Sequence, residues 1–136
     1  MRLVKSLLVI FVGCFLLAGC KGSKDIQGTW YAVNSDNLEM TITFDEKTVT
    51  FSSEGQDDWT LDYVQTGTGF ENQLGYKILE WDEQNWTFIF PDKKDLENAF
   101  IMKPYSDDEK LNGDVYWVLS KTDYPDYEQY KESLSE

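Results

Sequence analysis

Few side chains in this 136-residue sequence suit reactive chemistry. There are two cysteines, Cys14 and Cys20, and no histidine. A cysteine thiolate is a nucleophile and a metal ligand, so a cysteine here marks a membrane segment's end, a disulfide, a metal site or a processing site. Without histidine, Ser-His-Asp and Cys-His catalysis is excluded, and zinc, copper and haem sites lose their usual ligands. Acidic residues are plentiful, 25 in all. Asp57-Asp58 and Asp107-Asp108-Glu109 nevertheless lack the spaced loop of an EF-hand and read as exposed turns. Carboxylate pairs cleave glycosides, but Glu80 and Asp82 are paired only by sequence proximity. Gly67-Thr68-Gly69 reads as a turn, with no glycine-rich phosphate loop around it. The expectation is a non-enzyme with no catalytic residue, no metal site and no cofactor.

The N-terminus speaks to location. Met1, Arg2 and Lys5 make a small positive start, and Leu7 to Gly19 follows without a charge. That run has 13 residues. A helix of that length rises about 20 Å, whereas a span needs roughly 20 apolar residues. A positive start, a short apolar middle and small residues before a cut describe a secretory signal. The alternative is a short uncleaved anchor.

Leu17-Ala18-Gly19-Cys20 closely resembles the lipobox of bacterial lipoproteins. The resemblance implies lipid transfer to the Cys20 sulfur and cleavage between Gly19 and Cys20. Residues 1–19 are then signal peptide, 20–25 a lipidated cysteine and tether, and 26–136 the domain. Cys14 leaves with the signal and the Cys20 thiol is blocked, so no disulfide remains. The covalent lipid is the only attached group expected. Two or more acyl chains give stable anchoring where one is marginal. The expected location is extracytoplasmic, on the cell membrane, or on the outer membrane in a Gram-negative host. The released signal fragment also resembles the short apolar pheromones some Gram-positive bacteria cut from lipoprotein signals.

The mature chain is one domain of ordinary size. It carries ten basic against 25 acidic side chains, a balance of −15. Phosphate backbones need Lys and Arg, so nucleic acid is excluded as a partner. The charge suits a solvated surface or a cationic partner. Five Trp, eight Tyr and eight Phe argue against disorder.

Alternation of period two recurs along the chain, the mark of strands with one buried face. Leu38 to Phe44 puts Leu38, Met40, Ile42 and Phe44 on one side; Asp45-Glu46-Lys47 turns, and Thr48 to Ser52 returns with Val49 and Phe51 inside. Further runs are 26–33, 59–66, 74–81, 86–90, 100–103 and 115–121. Between them lie turn-like segments, including 53–58, 66–69, 82–85, 92–95 and Asn112-Gly113-Asp114, a strong hairpin signal. Short antiparallel strands must hide their edges, and an up-and-down barrel does so. The expected fold is all-β: eight antiparallel strands in an up-and-down barrel, a sandwich being the competitor. The tail from Tyr124 forms a short helix or frays, with Tyr127, Tyr130 and Leu134 spaced to face the body.

Gly28-Thr29-Trp30 resembles the Gly-x-Trp on the first strand of lipocalins and related calycin barrels. The resemblance implies a lipocalin-like barrel in which Trp30 plugs one end and Gly28 permits a bend. In that family a basic residue near the last strand packs over the tryptophan, and Lys121 takes that position here.

The aromatic excess points to a pocket for a small apolar or amphipathic ligand. The candidates are Trp59, Tyr63, Tyr76, Trp86 and Trp117, with Trp81 beside them. The opposing reading is an interior filled by these same side chains. The expected partners of a monomer are the membrane, through the lipid, and a small lipophilic ligand. The alternative is a protein-interaction module of inhibitor or immunity type that grips a cationic protein with its acidic surface.

Overall fold

A computed structural model describes residues 21–71, 74–92 and 94–129. The lipobox, Cys20, Tyr130 and Leu134 lie outside the described residues. Nine strands form one antiparallel sheet: β1 (Gly28–Asn34), β2 (Glu39–Phe44), β3 (Thr48–Ser52), β4 (Trp59–Asp62), β5 (Val64–Glu71), β6 (Leu74–Trp81), β7 (Gln84–Phe90), β8 (Asn98–Pro104) and β9 (Gly113–Ser120). The order is β4-β3-β2-β1-β9-β8-β7-β6-β5. Sequential strands pair except for β4 and β5, and β1 pairs with β9. Among the described residues, all strands and both apolar clusters lie between Ile26 and Tyr127.

Nine strands stand where eight are expected, because the 59–66 run breaks at Tyr63. Tyr63 donates its N–H to the Lys47 carbonyl and its hydroxyl to the Asp45 carbonyl. Before it, β4 pairs with β3; after it, β5 pairs with β6. The two ends of the sheet are thus consecutive in the chain, and no ladder joins them among the described residues.

Three expected turns also resolve differently. Residues 66–69 continue β5, with a bulge between Gln65 and Gly67. The Tyr76 ring lies across Gly69 and fills the space a side chain would take there. The 82–85 turn shrinks to Asp82-Glu83, whose φ angles of 53° and 60° are those of a two-residue type I′ hairpin. Asn112-Gly113 is no tight hairpin, since the β8–β9 connection runs over 105–112. Gly113 is required instead by close approach: a Cβ there would meet the Lys103 carbonyl oxygen at 2.1 Å.

Side chains show how far the sheet curls. Phe44 on β2 meets Phe88 on β7 at 5.6 Å between centroids, and Phe51 on β3 meets Trp81 on β6 at 6.0 Å. These strands are remote in the order, so the sheet wraps around one interior, centred on Trp30, Phe44, Leu79, Phe88, Ile101 and Leu119. Strands β7, β8 and β9 are apolar on their outer face too, where Ile89, Phe100 and Val118 are buried with Tyr127. The tail therefore docks: the Tyr127 hydroxyl donates to the Val115 carbonyl at 2.6 Å, within a helical turn over 127–129.

Candidate functional site

Up-and-down connectivity sorts the connections into two ends. Residues 21–27, 45–47 and 91–97 gather at the end where β1 begins; 35–38, 53–58, 82–83 and 105–112 gather at the other.

The first end is plugged by the chain's own N-terminal segment. The Gly22 N–H donates to the Glu46 carbonyl at 2.8 Å, and the Ser23 N–H and hydroxyl both donate to Gln65 Oε1 at 2.9 Å. Ile26 is fully buried, and its carbonyl accepts the Trp30 indole N–H at 2.8 Å. Gly22, Ser23 and Ile26 are thus packed against the sheet, while Lys24 is exposed. Gly28 has φ 111°, a bend that only glycine makes without strain, and it admits the chain to β1. Lys121 Nζ lies 4.8 Å from the Trp30 ring centroid. An ion pair of 3.5 Å joins Lys77 to Asp25. Tyr63 belongs to this end, where burial first, then the charges of Asp45 and Glu46, push its pKa up to about 12.

The second end is open. A cup of about 390 Å³ lies there, walled by Met40, Phe51, Trp59, Trp81, Trp86 and Trp117. Ser52, Ser53, Gln56, Asp57, Asp82 and Tyr116 complete its lining. Trp81 and Trp86 stack at 4.9 Å and 10° between planes. Phe51 lies 5.5 Å from Trp117 and 5.8 Å from Trp59, which is 57% exposed at the rim. Lys103 Nζ stands 5.9 Å from the Trp86 centroid. The indole N–H groups of Trp86 and Trp117 are walled in and have no hydrogen-bond partner among the described residues.

Four of the tryptophans noted in the sequence, Trp59, Trp81, Trp86 and Trp117, come together here. Tyr63 does not join them, nor does Tyr76, which lies in the outer cluster. Alternation places Tyr76 opposite Lys77 and Leu79, and so off the interior face. Sequence reading missed Tyr116 because a bulge delivers it. Ile101 pairs with Trp117 and Met102 with Val115, which leaves Tyr116 over. Bulges re-aim a side chain in this way, and Tyr116 meets Trp86 at 5.2 Å. Phe51 and Met40 were legible on inward faces, but nothing in their spacing tied them to a cavity. Asp57 and Asp82 read as turn residues, and turn residues are what form a rim.

The charge is unevenly placed. The connections 35–38, 53–58, 82–83 and 105–112 carry nine carboxylates against one cation, Lys110. The connections at the plugged end mix lysines with carboxylates, and Lys121 follows there. One mouth connection is fixed from beneath, where Thr87, fully buried, donates to the Lys110 carbonyl at 2.6 Å.

No protein-family profile matches this chain, and neither a curated protein nor a solved structure does. No group of His, Cys, Asp or Glu suited to a metal ion occurs among the described residues, and no helix among them is long and apolar enough to cross a membrane.

Proposed function

We propose that the chain is a bacterial lipoprotein whose sheet forms a lipocalin-like barrel and binds a small amphipathic ligand, without catalysis, in the aromatic cup. The observation that carries this reading is the cup itself: about 390 Å³, open at one end and walled by six large apolar side chains. Its size falls within the range of small-molecule pockets. A plug at the opposite end agrees with the Gly-x-Trp resemblance. In this reading β4 and β5 act as one long strand bent at Tyr63, which restores the count of eight. The test is a titration of residues 21–136 with N-phenyl-1-naphthylamine, a neutral apolar probe that fluoresces out of water. Saturable one-to-one binding is expected, weakened by Trp59→Ala and unaffected by Phe70→Ala. Absence of saturable binding overturns the reading.

Lipidation rests on the sequence, and the packing of Gly22 adds a consequence. Two residues span about 7 Å, so an acylated Cys20 would hold the plugged end against the membrane and turn the cup away from it. Mass spectrometry of wild type against Cys20→Ala tests the anchor. Loss of the lipid mass and release from membranes are expected of the variant; equal retention of both forms would leave an uncleaved anchor. The acidic mouth favours a second reading, a module that binds a cationic protein. Its sign would be salt-sensitive capture of a basic partner with no probe binding in the cup.

A further inference from the structure

We propose that the cup selects organic cations: a quaternary or protonated amine on a compact apolar body. The inference rests on the ligand-binding reading above and names the ligand's class.

Three observations converge. First, the mouth connections carry nine carboxylates against Lys110, with Lys103 on β8 the other cation at this end. A recessed site ringed by one sign of charge raises the local concentration of the opposite ion and repels its own. Second, Asp57 and Asp82 belong to the cup's lining and no basic side chain does. A carboxylate ligand would meet two carboxylates and no counter-charge in the lining, where Lys103 reaches only the Trp86 ring. The neutral donors of Ser52, Ser53 and Gln56 do not replace one, and the indole N–H groups of Trp86 and Trp117 are walled in. Third, the walls are rings, and a ring face attracts a cation by about 0.5–2 kcal/mol. One ring at this end already holds an ammonium, since Lys103 Nζ stands over Trp86 at 5.9 Å. With Trp86 covered by Trp81 and approached by Lys103, the rings left for a ligand are Phe51, Trp59, Trp117 and Tyr116. Cation, rings and flanking carboxylates together replace the water an ammonium gives up on binding.

An isostere series separates charge from shape. Choline, 3,3-dimethylbutan-1-ol and 3,3-dimethylbutanoate share a branched head and differ in charge, and none absorbs where tryptophan emits. Each is titrated into residues 21–136 by tryptophan fluorescence, beside N-phenyl-1-naphthylamine. The expected result is choline bound at least tenfold more tightly than the neutral alcohol, about 1.4 kcal/mol, and no measurable binding of the anion. Raising the salt to 0.5 M should weaken choline and leave the alcohol unchanged. The double variant Asp57→Asn, Asp82→Asn should narrow choline's preference over the alcohol, the rings and remaining carboxylates keeping part of it; asparagine tolerates the positive φ of position 82. Equal affinity for choline and the alcohol, preference for the anion, or naphthylamine binding with no choline binding would each overturn the cation assignment while the ligand-binding reading stands. Failure of naphthylamine and the whole series would overturn both.

Discussion

Lys121 stands with its ammonium 4.8 Å from the ring centroid of Trp30, while the Trp30 indole N–H is held by the Ile26 carbonyl at 2.8 Å. One side chain thus joins the end of the last strand to the first strand and, through Ile26, to the plug. Lys121→Ala should cost about 1 kcal/mol in urea unfolding. Lys121→Arg should restore it, because a guanidinium also stacks on rings. Trp30→Phe should cost more, about 2–3 kcal/mol, since it leaves a cavity and an unpaired buried carbonyl. An unchanged midpoint for Lys121→Ala would show that the contact adds nothing to stability.

Tyr63 makes the fold sensitive to alkali. Its folded pKa is raised from 10.0 to about 12, chiefly by burial. The protonated phenol is favoured in the folded state, so its contribution is complete below pH 10 and is lost as pH rises from 10 towards 12. Burial also raises Tyr127 above the usual tyrosine value, which adds a loss of the same sign. Unfolding free energy should therefore fall above pH 10. Tyr63→Phe should lower stability at pH 7 by about 1 kcal/mol, the worth of its hydroxyl bond, and should flatten the decline. A decline as steep in the variant would assign the alkaline sensitivity elsewhere.

Glu83 sits at φ 60° in the two-residue turn between β6 and β7. A side chain in this left-handed region costs roughly 1–2 kcal/mol, and glycine avoids the cost. Glu83→Gly should raise the urea midpoint and leave the cup's probe affinity unchanged, because Glu83 does not line it. A lower midpoint would mean that the glutamate side chain holds the hairpin.

Two glycines in strands give opposite expectations. A Cβ at Gly113 would meet the Lys103 carbonyl oxygen at 2.1 Å, whereas one at Gly75 meets nothing nearer than Phe90 Cβ at 4.0 Å. Gly113→Ala should cost about 2 kcal/mol or more through overpacking against backbone. Gly75→Ala should be neutral or slightly stabilising. Thermal melts of the pair check the ladder between Pro104 and Gly113.

Most of the strands were legible because alternation reports one buried face, as in the 38–44 run that yields β2 (Glu39–Phe44). Alternation says nothing about where a strand changes partner, so the break at Tyr63 was hidden inside an unbroken pattern. It also fails where both faces are buried: in β7, Thr87 and Ile89 are as covered as Trp86 and Phe88. That outer cluster drew Tyr76 away from the cup. Composition makes Gly22 and Ser23 look like linker and does not show their packing by backbone and hydroxyl bonds to Glu46 and Gln65. The cup's tryptophans were legible as an aromatic excess. Their convergence at one end was not, since it depends on the stagger of strands around the curl.

The five tryptophans provide the most direct test of the cup. Trp59, Trp81, Trp86 and Trp117 line it, and Trp30 lies at the plugged end among Ile26, Phe88 and Phe90. In a proton–nitrogen correlation spectrum of residues 21–136, each indole N–H gives one separate signal. Titration with N-phenyl-1-naphthylamine should move the four cup signals in saturable fashion and leave Trp30 in place. A spectrum in which none of the four moves, or in which Trp30 moves alone, would contradict a ligand site in the cup.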